Sequence, residues 1–132
     1  IEPFLIASSV IVVAAQRLLR QICPFCKSPE PVPPEVLKRL DKNGVNLGKF
    51  ESFRGLGCSK CEKSGYLGRT GAIEVLAIDS QIREAIISRS SSEEIEKLAR
   101  EKRMQSLFEN ALELFKEGRV TLAEVLRVTL HE

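Results

Sequence analysis

The feature that most constrains the fold of this chain is a pair of Cys-x-x-Cys motifs, one beginning at Cys23 and the other at Cys58. Two residues between cysteines let both sulfurs of a tight turn point at one centre about 2.3 Å away, and two such turns complete a tetrahedron. Four thiolates leave no open coordination position, so a metal held in this way is structural and does not activate water. The spacing predicts a structural metal site with four ligands, Cys23, Cys26, Cys58 and Cys61.

Zinc is the metal that this set favours, and other uses of four cysteines stay open. The 31 residues between the pairs exceed the roughly 15–20 typical of compact zinc ribbons, and a short helix within them accounts for the excess. An iron–sulfur cluster also takes four thiolates, although its familiar motifs are spaced differently. Two disulfides or free thiols are disfavoured, because the chain shows no secretory signal and is long enough to form its own core.

The composition is that of a globular chain with one domain or two small subdomains: 132 residues, 43% hydrophobic and 29% charged. The net charge of +2 excludes a polybasic tail and makes a dominant nucleic-acid role improbable. Residues 1–71 carry +5 (eleven basic, six acidic) and residues 72–132 carry −3 (nine basic, twelve acidic). A zinc tetrathiolate carries about −2. Five basic residues near the second cysteine pair are expected to neutralise it: Lys49, Arg54, Lys60, Lys63 and Arg69.

The chain begins at Ile1 and has a single methionine, Met104, so we expect it to be a piece of a longer protein. The apolar run from Phe4 to Ala15 is shorter than the roughly twenty residues that cross a bilayer, and no charged region precedes it. We therefore expect neither a membrane span nor a signal peptide. The one histidine, His131, is the penultimate residue and an improbable catalytic base.

Residues 2–22 are predicted to form one helix, with Pro3 in its first turn and Arg17 and Arg20 as surface cations near its C-terminal end. The run Val10–Val13 is also compatible with a buried strand. As a helix the segment is apolar nearly all round, so it must be buried on all sides. We expect its packing partner to lie in an upstream part of the same protein.

Residues 23–71 hold all four cysteines, five of the six prolines and seven of the eight glycines. A short helix is predicted over Pro34–Leu40, and strands over Phe50–Phe53 and Ala72–Ile78. The glycine-rich stretch from Gly65 to Gly71 invites a phosphate-binding interpretation, but it lacks the spacing of either familiar phosphate-binding motif. Turns that leave the second cysteine pair explain its glycines better.

From Asp79 onward the apolar spacing predicts helices throughout. Four sites are predicted to begin or end these helices: Asp79 as an N-cap, Ser91 with Glu94 and Thr121 with Glu124 as capping boxes, and Gly118 just past a helix end. Their apolar stripes are interpreted as core. The predicted fold is mainly α with a small β/zinc-binding subdomain, divided into segments 1–22, 23–71, 72–78 and 79–132. No catalytic or nucleotide-binding residue is predicted.

Together these stretches resemble the C-terminal end of the secretion-type motor ATPases that drive type II secretion and type IV pilus assembly. The resemblance covers essentially the whole chain. It rests on five stretches in the same order: Ile1–Ser9, Ala15–Arg20, the two cysteine pairs, Gly65–Gly71 and Gly118–Arg127.

The resemblance implies a C-terminal fragment of a RecA-like (P-loop) motor ATPase. Such a motor is a homo-hexamer, cytoplasmic and peripheral to the inner membrane, where it meets secretion or pilus platform proteins. The P-loop that binds ATP and Mg²⁺ lies in the upstream core of the same chain, so the fragment itself is expected to be inactive. The cysteine segment is similar to the family's zinc-binding insertion, and residues 79–130 to its C-terminal helices. The family also implies that Gln16 and Arg17 lie against the motor core, near the nucleotide.

Two other functions were weighed against this one. A stand-alone zinc-ribbon adaptor for protein interactions would have a monomeric fold that covers the first segment. A nucleic-acid-binding zinc module would use the basic residues near Cys58 and Cys61, with Phe53 and Tyr66 for stacking, but the scarcity of aromatic residues disfavours it. No nucleic-acid partner is expected.

Overall fold

The computed structural model describes residues 1–129, which form six helices and two small antiparallel sheets. His131 lies outside the described residues. The elements in chain order are α1 (Pro3–Ser9), β1 (Val12–Ile22), β2 (Lys27–Pro29), α2 (Pro34–Lys42), β3 (Phe53–Gly55), β4 (Tyr66–Ala77), α3 (Ser80–Ile87), α4 (Ser92–Glu101), α5 (Leu107–Lys116) and α6 (Leu122–Thr129).

The predicted helix over residues 2–22 is wrong beyond its first turns. The helix ends at Ser9, and Val12–Ile22 form β1, which pairs with β4 from Val12 opposite Ala77 to Ile22 opposite Tyr66. The first seven residues of β1 are exposed, and burial begins at Leu19, which is completely buried beside the 51%-exposed Leu18. The opposite environments of these two neighbours fit the two-residue period of a strand, and the β-branched residues at its start favour the same state.

The β1–β4 ribbon has one packed face and one open face. Leu19 and Ala72 on the packed face are fully buried, and helices α5 and α6 lie against this side. Four side chains on the opposite face are about half exposed, and we call them the open face: Val12, Leu18, Ile73 and Val75. The register places even-numbered β1 positions and odd-numbered β4 positions on the same face, so these four side chains lie together. The ribbon is therefore apolar on both sides, and one side is covered near Leu19 and Ala72, although Val13 on that side is 50% exposed.

The glycine-rich stretch predicted as a turn is largely part of β4. The strand begins at Tyr66, and its pairing with β1 shifts register between Arg20 and Ile22, opposite Gly68. Gly68 has φ of +78°, a conformation that glycine adopts without steric cost. The stretch is thus a bulged strand that turns the ribbon toward the cysteines. The strand predicted over Ala72–Ile78 belongs to β4 as far as Ala77, and that predicted over Phe50–Phe53 is displaced to β3.

The helix termini follow the sequence. The side chain of Asp79 accepts a hydrogen bond from Ile82 N–H at 2.9 Å and begins α3. Ser91 caps α4 at Glu94 N–H, and Thr121 caps α6 at Glu124 N–H, both at 3.2 Å. These four predicted starts and stops are confirmed, with Gly118 directly after the C-cap of α5 at φ +75°. The helix predicted from Pro34 is also present and reaches Lys42.

The hydrophobic core lies between the ribbon, α2 and the last two helices. Phe115 is its largest fully buried side chain, and its ring centroid lies 5.5 Å from that of Phe50. Leu40 of α2 and Leu47 of the following loop belong to the same buried cluster. The core therefore joins part of the predicted cysteine segment to the C-terminal helices. No helix within residues 1–129 has the length and apolar character needed to cross a membrane.

Candidate metal centre

The first cysteine pair sits at the end of the long ribbon. β1 ends at Ile22, and Cys23 follows, completely buried, with its N–H donating to Gly65 C=O at 2.9 Å. The chain then turns through Cys26 into β2. The ribbon thus delivers the first pair to a fixed place beside the start of β4.

The second pair lies in a tight turn between β3 and β4. Lys63 N–H donates to Cys58 C=O at 2.8 Å, and Ser64 N–H donates to Cys61 C=O at 3.1 Å. Glu62 and Lys63 both have positive φ, 54° and 68°, which L-residues adopt at a cost. The turn therefore holds a strained backbone conformation that points both sulfurs inward.

The structure brings all four predicted ligands together, with every pair of Sγ atoms within 4.8 Å. Cys23 and Cys58 are 3.8 Å apart, Cys26 and Cys61 are 3.8 Å apart, and Cys58 and Cys61 are 3.7 Å apart. A tetrahedron with metal–sulfur bonds of about 2.3 Å has edges of about 3.8 Å. A disulfide would need about 2.05 Å, and all four cysteines are free. The arrangement fits a tetrathiolate metal site.

Backbone N–H groups aimed at the sulfurs suit them as thiolates. Gly65 N–H donates to Cys61 Sγ at 3.2 Å, Cys58 N–H donates to the same sulfur at 3.3 Å, and Gly57 N–H donates to Cys26 Sγ at 3.3 Å. Such second-shell donors stabilise the charged form of a ligand.

The pKa values of two thiols respond to these surroundings in opposite directions. Burial opposes ionisation of Cys61, but the N–H donors of Cys58 and Gly65, together with the neighbouring thiols, lower its pKa to about 6. Burial raises the pKa of Cys26 to about 11; the N–H of Gly57 opposes the rise, and the neighbouring thiols add to it. The cluster thus contains a thiol that ionises readily beside one that resists ionisation unless a cation is bound.

Two glycines allow the turns to approach each other. A Cβ on Gly55 would lie 2.0 Å from the carbonyl oxygen of Gly65, and a Cβ on Gly65 would lie 2.4 Å from that of Gly55. Gly65 also has φ of +82°. Gly57 is similarly close to the backbone of Lys63. Three of the glycines in this segment are therefore required by the geometry that gathers the cysteines.

Two of the five basic residues predicted to neutralise the cysteine cluster contact a specific side chain. Arg54 Nη1 lies 3.3 Å from a carboxylate oxygen of Glu30, and Lys60 Nζ lies 5.6 Å from the ring centroid of Phe25. Lys49, Lys63 and Arg69 are exposed. Of the two aromatic residues considered for stacking on nucleic acid, Phe53 lies under Lys27 Nζ and Tyr66 under the guanidinium of Arg20, at 4.3 and 4.2 Å.

A buried carboxylate that the sequence did not reveal lies on α6. Glu124 is 2% exposed. It accepts hydrogen bonds from the backbone N–H and Nε of Arg20, both at 2.9 Å, and from Arg127 Nη2 at 2.7 Å. Arg20 was predicted as a surface cation at a helix end; its side chain is half exposed, but it lies on β1 and pairs with the buried Glu124. The only sequence signal at Glu124 is the capping box with Thr121, which predicts a residue in the first turn of a helix and not a buried ion pair.

The fold and this site define a class of protein: a helical and ribbon module organised around a four-cysteine cluster with the geometry of a structural metal centre. All four cysteines of the chain belong to this cluster.

The chain belongs to a family described as Type II/IV secretion system protein, whose model matches residues 1–127. It is 42% identical over 130 residues to the type II secretion system protein E of Aeromonas hydrophila, covering 98% of this chain and 25% of that protein. It is 40% identical over 129 residues to the type II secretion system ATPase E of Vibrio cholerae, again 98% and 25%.

A further relative is the type IV pilus assembly ATPase PilB of Thermus thermophilus, 38% identical over 130 residues, which are 98% of this chain and 15% of that protein. The chain thus spans only 15 to 25% of the length of these three relatives. The resemblance inferred from the sequence is confirmed at the level of the family.

Proposed function

We propose that this chain is the zinc-stabilised region that follows the nucleotide-binding core of a motor ATPase for type II secretion or type IV pilus assembly. The observation that carries the zinc site is the sulfur geometry, with separations of 3.7 and 3.8 Å that match the edges of a tetrathiolate tetrahedron. Cys23, Cys26, Cys58 and Cys61 hold the ion, which supplies a cross-link between the two turns and no reaction chemistry.

The open face of the ribbon supports a larger protein body around this region. Val12 and Leu18 of β1 and Ile73 and Val75 of β4 are exposed apolar side chains on one face, of the kind that proteins cover. In the proposed assembly, residues 1–22 join the nucleotide-binding core, and the segment of β1 that carries Gln16 and Arg17 lies beside the part of the protein that holds ATP. Segment 23–71 contains the zinc-binding turns, segment 72–78 continues β4 toward α3, and segment 79–132 is the C-terminal helical subdomain.

In the whole protein this region serves a cytoplasmic homo-hexamer that hydrolyses ATP with Mg²⁺ and meets platform proteins at the inner membrane. The P-loop belongs to the preceding core, so the chain alone does not hydrolyse ATP. Its contribution is mechanical: the zinc fixes the two turns, and β1 and β4, which adjoin the turns and pack against α6 and α5, connect them to the C-terminal helices.

Elemental analysis of the chain purified under reducing conditions tests the site. We expect about one zinc per chain in the unmodified protein and a large loss in Cys58→Ser, with Ser59→Ala as the matched control because it changes the same turn without removing a ligand. Absence of zinc, together with four titratable thiols, would contradict the proposal. In the full-length motor, Cys58→Ser should reduce ATP hydrolysis, whereas Ser59→Ala should not.

A further inference from the structure

The four cysteines of the cluster differ in their exposure to solvent. Cys23 is completely buried and Cys61 is 5% exposed, whereas Cys26 and Cys58 are partly exposed. A cysteine is oxidised only where the oxidant can reach it, so susceptibility follows exposure. Solvent access therefore restricts direct attack on a dissolved oxidant to Cys26 and Cys58.

The two accessible cysteines differ in their hydrogen bonds. Gly57 N–H donates to Cys26 Sγ at 3.3 Å, whereas within residues 1–129 no backbone N–H donates to Cys58 Sγ. A hydrogen bond that stabilises a thiolate also withdraws electron density from the sulfur, which lowers its nucleophilicity. Cys58 therefore combines solvent access with the more nucleophilic sulfur.

Cys61 is placed to form a disulfide with Cys58. Their Sγ atoms are 3.7 Å apart and belong to one turn, so changes within that turn can bring them to the disulfide length of about 2.05 Å. Cys23 Sγ is nearly as close to Cys58 Sγ, at 3.8 Å. It belongs to a separate segment, however, because the Cys23 N–H is bonded to Gly65 C=O at the end of the ribbon. Pairing within the turn is therefore favoured over pairing between the segments.

We propose that Cys58 is the peroxide-reactive residue of the metal centre, and that its oxidation to a disulfide with Cys61 releases the metal. Cys58 Sγ attacks one oxygen of hydrogen peroxide: an S–O bond forms, the O–O bond breaks and hydroxide departs. Cys61 Sγ then attacks the sulfur of the sulfenic acid, so an S–S bond forms, the S–O bond breaks and a second hydroxide departs. Two thiolates are oxidised to one disulfide, and one peroxide is reduced to two hydroxide ions, which the solvent protonates to water.

The position of this disulfide gives oxidation a structural effect. A bond between Cys58 and Cys61 lies within the second turn alone, so the cross-link that four thiolates and a metal make between the turns is lost. The hydrogen bond from Leu56 N–H to Cys26 C=O at 3.1 Å stays between them but is far weaker than metal ligation. A thiol reductant reverses a disulfide. The inference rests on the proposed metal centre and makes it a reversible, oxidant-sensitive cross-link.

Tryptic peptides distinguish the possible disulfides. Cleavage after lysine and arginine places Cys58 in residues 55–60 and Cys61 in residues 61–63, with the other two cysteines in residues 21–27. The zinc-loaded chain is treated with a small excess of hydrogen peroxide, its remaining thiols are alkylated, and the digest is analysed by mass spectrometry. We expect residues 55–60 joined to residues 61–63. Residues 55–60 joined mainly to residues 21–27 would overturn the proposal.

The rate of zinc release tests the role of Cys58, with elemental analysis after gel filtration as the measurement. Cys58→His keeps a side chain that binds zinc but removes the reactive sulfur, so peroxide should release zinc at least about tenfold more slowly than from the unmodified chain. Cys26→His is the matched control, because it exchanges the other accessible ligand, and its release rate should stay within about threefold of the unmodified one. Dithiothreitol with added zinc should restore the zinc content of the oxidised chain.

The zinc content before peroxide separates the possible failures. An unmodified chain without zinc contradicts the metal centre and this inference with it. A zinc-loaded chain that keeps its zinc under peroxide contradicts only the inference, as does equal release from the two histidine variants. If a histidine variant holds no zinc at the start, the peptide map of the unmodified chain decides the question.

Discussion

At the scale of single residues, the Glu124 carboxylate connects α6 to β1. Burial raises the pKa of a carboxyl group, but the hydrogen bonds from Arg127 and from the backbone and side chain of Arg20 hold the pKa of Glu124 below its ordinary value. Arg127 also donates to the carbonyl of Leu18 at 3.2 Å. Because Arg20 lies three residues before Cys23, this cluster anchors α6 to the strand that leads into the metal centre.

Replacing Glu124 with Gln should lower the free energy of unfolding by about 2 kcal/mol, because it removes the charge that two arginines share while their own side chains stay half exposed. Urea denaturation of zinc-loaded protein measures the change. Glu113→Gln on the exposed side of α5 is the control and should change stability by less than about 0.5 kcal/mol. Equal stability of the two variants would show that the buried cluster contributes nothing.

The contribution of Glu124 to the free energy of unfolding should depend on pH. Since the pKa of Glu124 is lower in the folded state, its contribution is complete above the ordinary glutamate value of about 4.3 and is lost as pH falls through the lower folded value. The difference in unfolding free energy between the wild type and Glu124→Gln should therefore shrink on acidification. Acid also releases metal from both proteins alike, so the difference isolates the carboxylate. A constant or growing difference would contradict this assignment.

Gly65 offers a test of how closely the cysteine turns must approach. Gly65→Ala places a Cβ against the Gly55 carbonyl and a side chain at positive φ, so zinc affinity should fall by at least about tenfold. Gly48→Ala has the same φ penalty but meets no atom within 4 Å, and it should retain affinity. Competition with a chromophoric chelator measures both. Equal affinity in the two variants would mean that the turns have room to separate.

The clustering of the four cysteines was predictable from the sequence, because the spacing of the two Cys-x-x-Cys motifs indicates it without knowledge of the rest of the fold. Glu124 was not, because its burial depends on where β1 lies relative to α6, a contact between positions more than one hundred residues apart. The close approach of the Gly55 and Gly65 backbones was not predictable either, because it also depends on how separate segments pack in the fold. Glycines of this pattern predict turns in general, but the local sequence does not specify which backbone each glycine approaches.

At the scale of elements, four helices end in the same backbone motif with different residues at its left-handed position. In each, the N–H after that position donates to the carbonyl five residues earlier, as Met104 does to Ala99 and Arg119 does to Leu114. The left-handed residue is Gly44 after α2, Arg89 after α3, Arg103 after α4 and Gly118 after α5. Two of the four helix ends thus carry a residue that adopts this conformation at a cost.

The two kinds of helix end predict opposite substitution effects. Arg103→Gly should raise the free energy of unfolding by up to about 1 kcal/mol by relieving the left-handed strain. Gly118→Ala should lower it by about 1–2 kcal/mol, since the added Cβ also meets Lys27 Nζ and the Phe53 ring at 2.9 and 3.2 Å. Thermal and urea unfolding measure both. Destabilisation by Arg103→Gly would indicate that the arginine side chain stabilises the helix end.

The elements also show where local sequence was insufficient. α3 to α6 were predictable because each begins with a capping side chain and carries an apolar stripe. β1 was not, since Ala14, Ala15, Gln16 and Arg17 are good helix formers and only pairing with β4 makes the strand favourable. The apolar character on both faces suggested an enveloped helix, whereas the ribbon buries one face and leaves the other open.

At the scale of the whole molecule, the hydrophobic core crosses the predicted division between the cysteine segment and the helices. Leu40 and Leu47 lie in the same buried cluster as Leu112 and Phe115. The cysteine turns themselves add no large apolar side chain to that cluster. Segment 23–71 therefore contains two kinds of structure: α2 and its following loop, which the core holds, and the two turns with β2 and β3, which depend on the metal.

Hydrogen exchange with and without a chelator distinguishes these two kinds of structure. Removal of zinc should lower protection by a hundredfold or more at the turn amides of Leu56, Lys63 and Ser64, whose bonds lie within the cysteine turns. The amides of α2 and α5 should change far less, because buried apolar contacts hold them. Loss of protection in α2 equal to that in the turns would mean that the metal stabilises the whole segment 23–71 as one cooperative unit. Retained protection at the turn amides would instead show that the metal does not stabilise the cysteine turns.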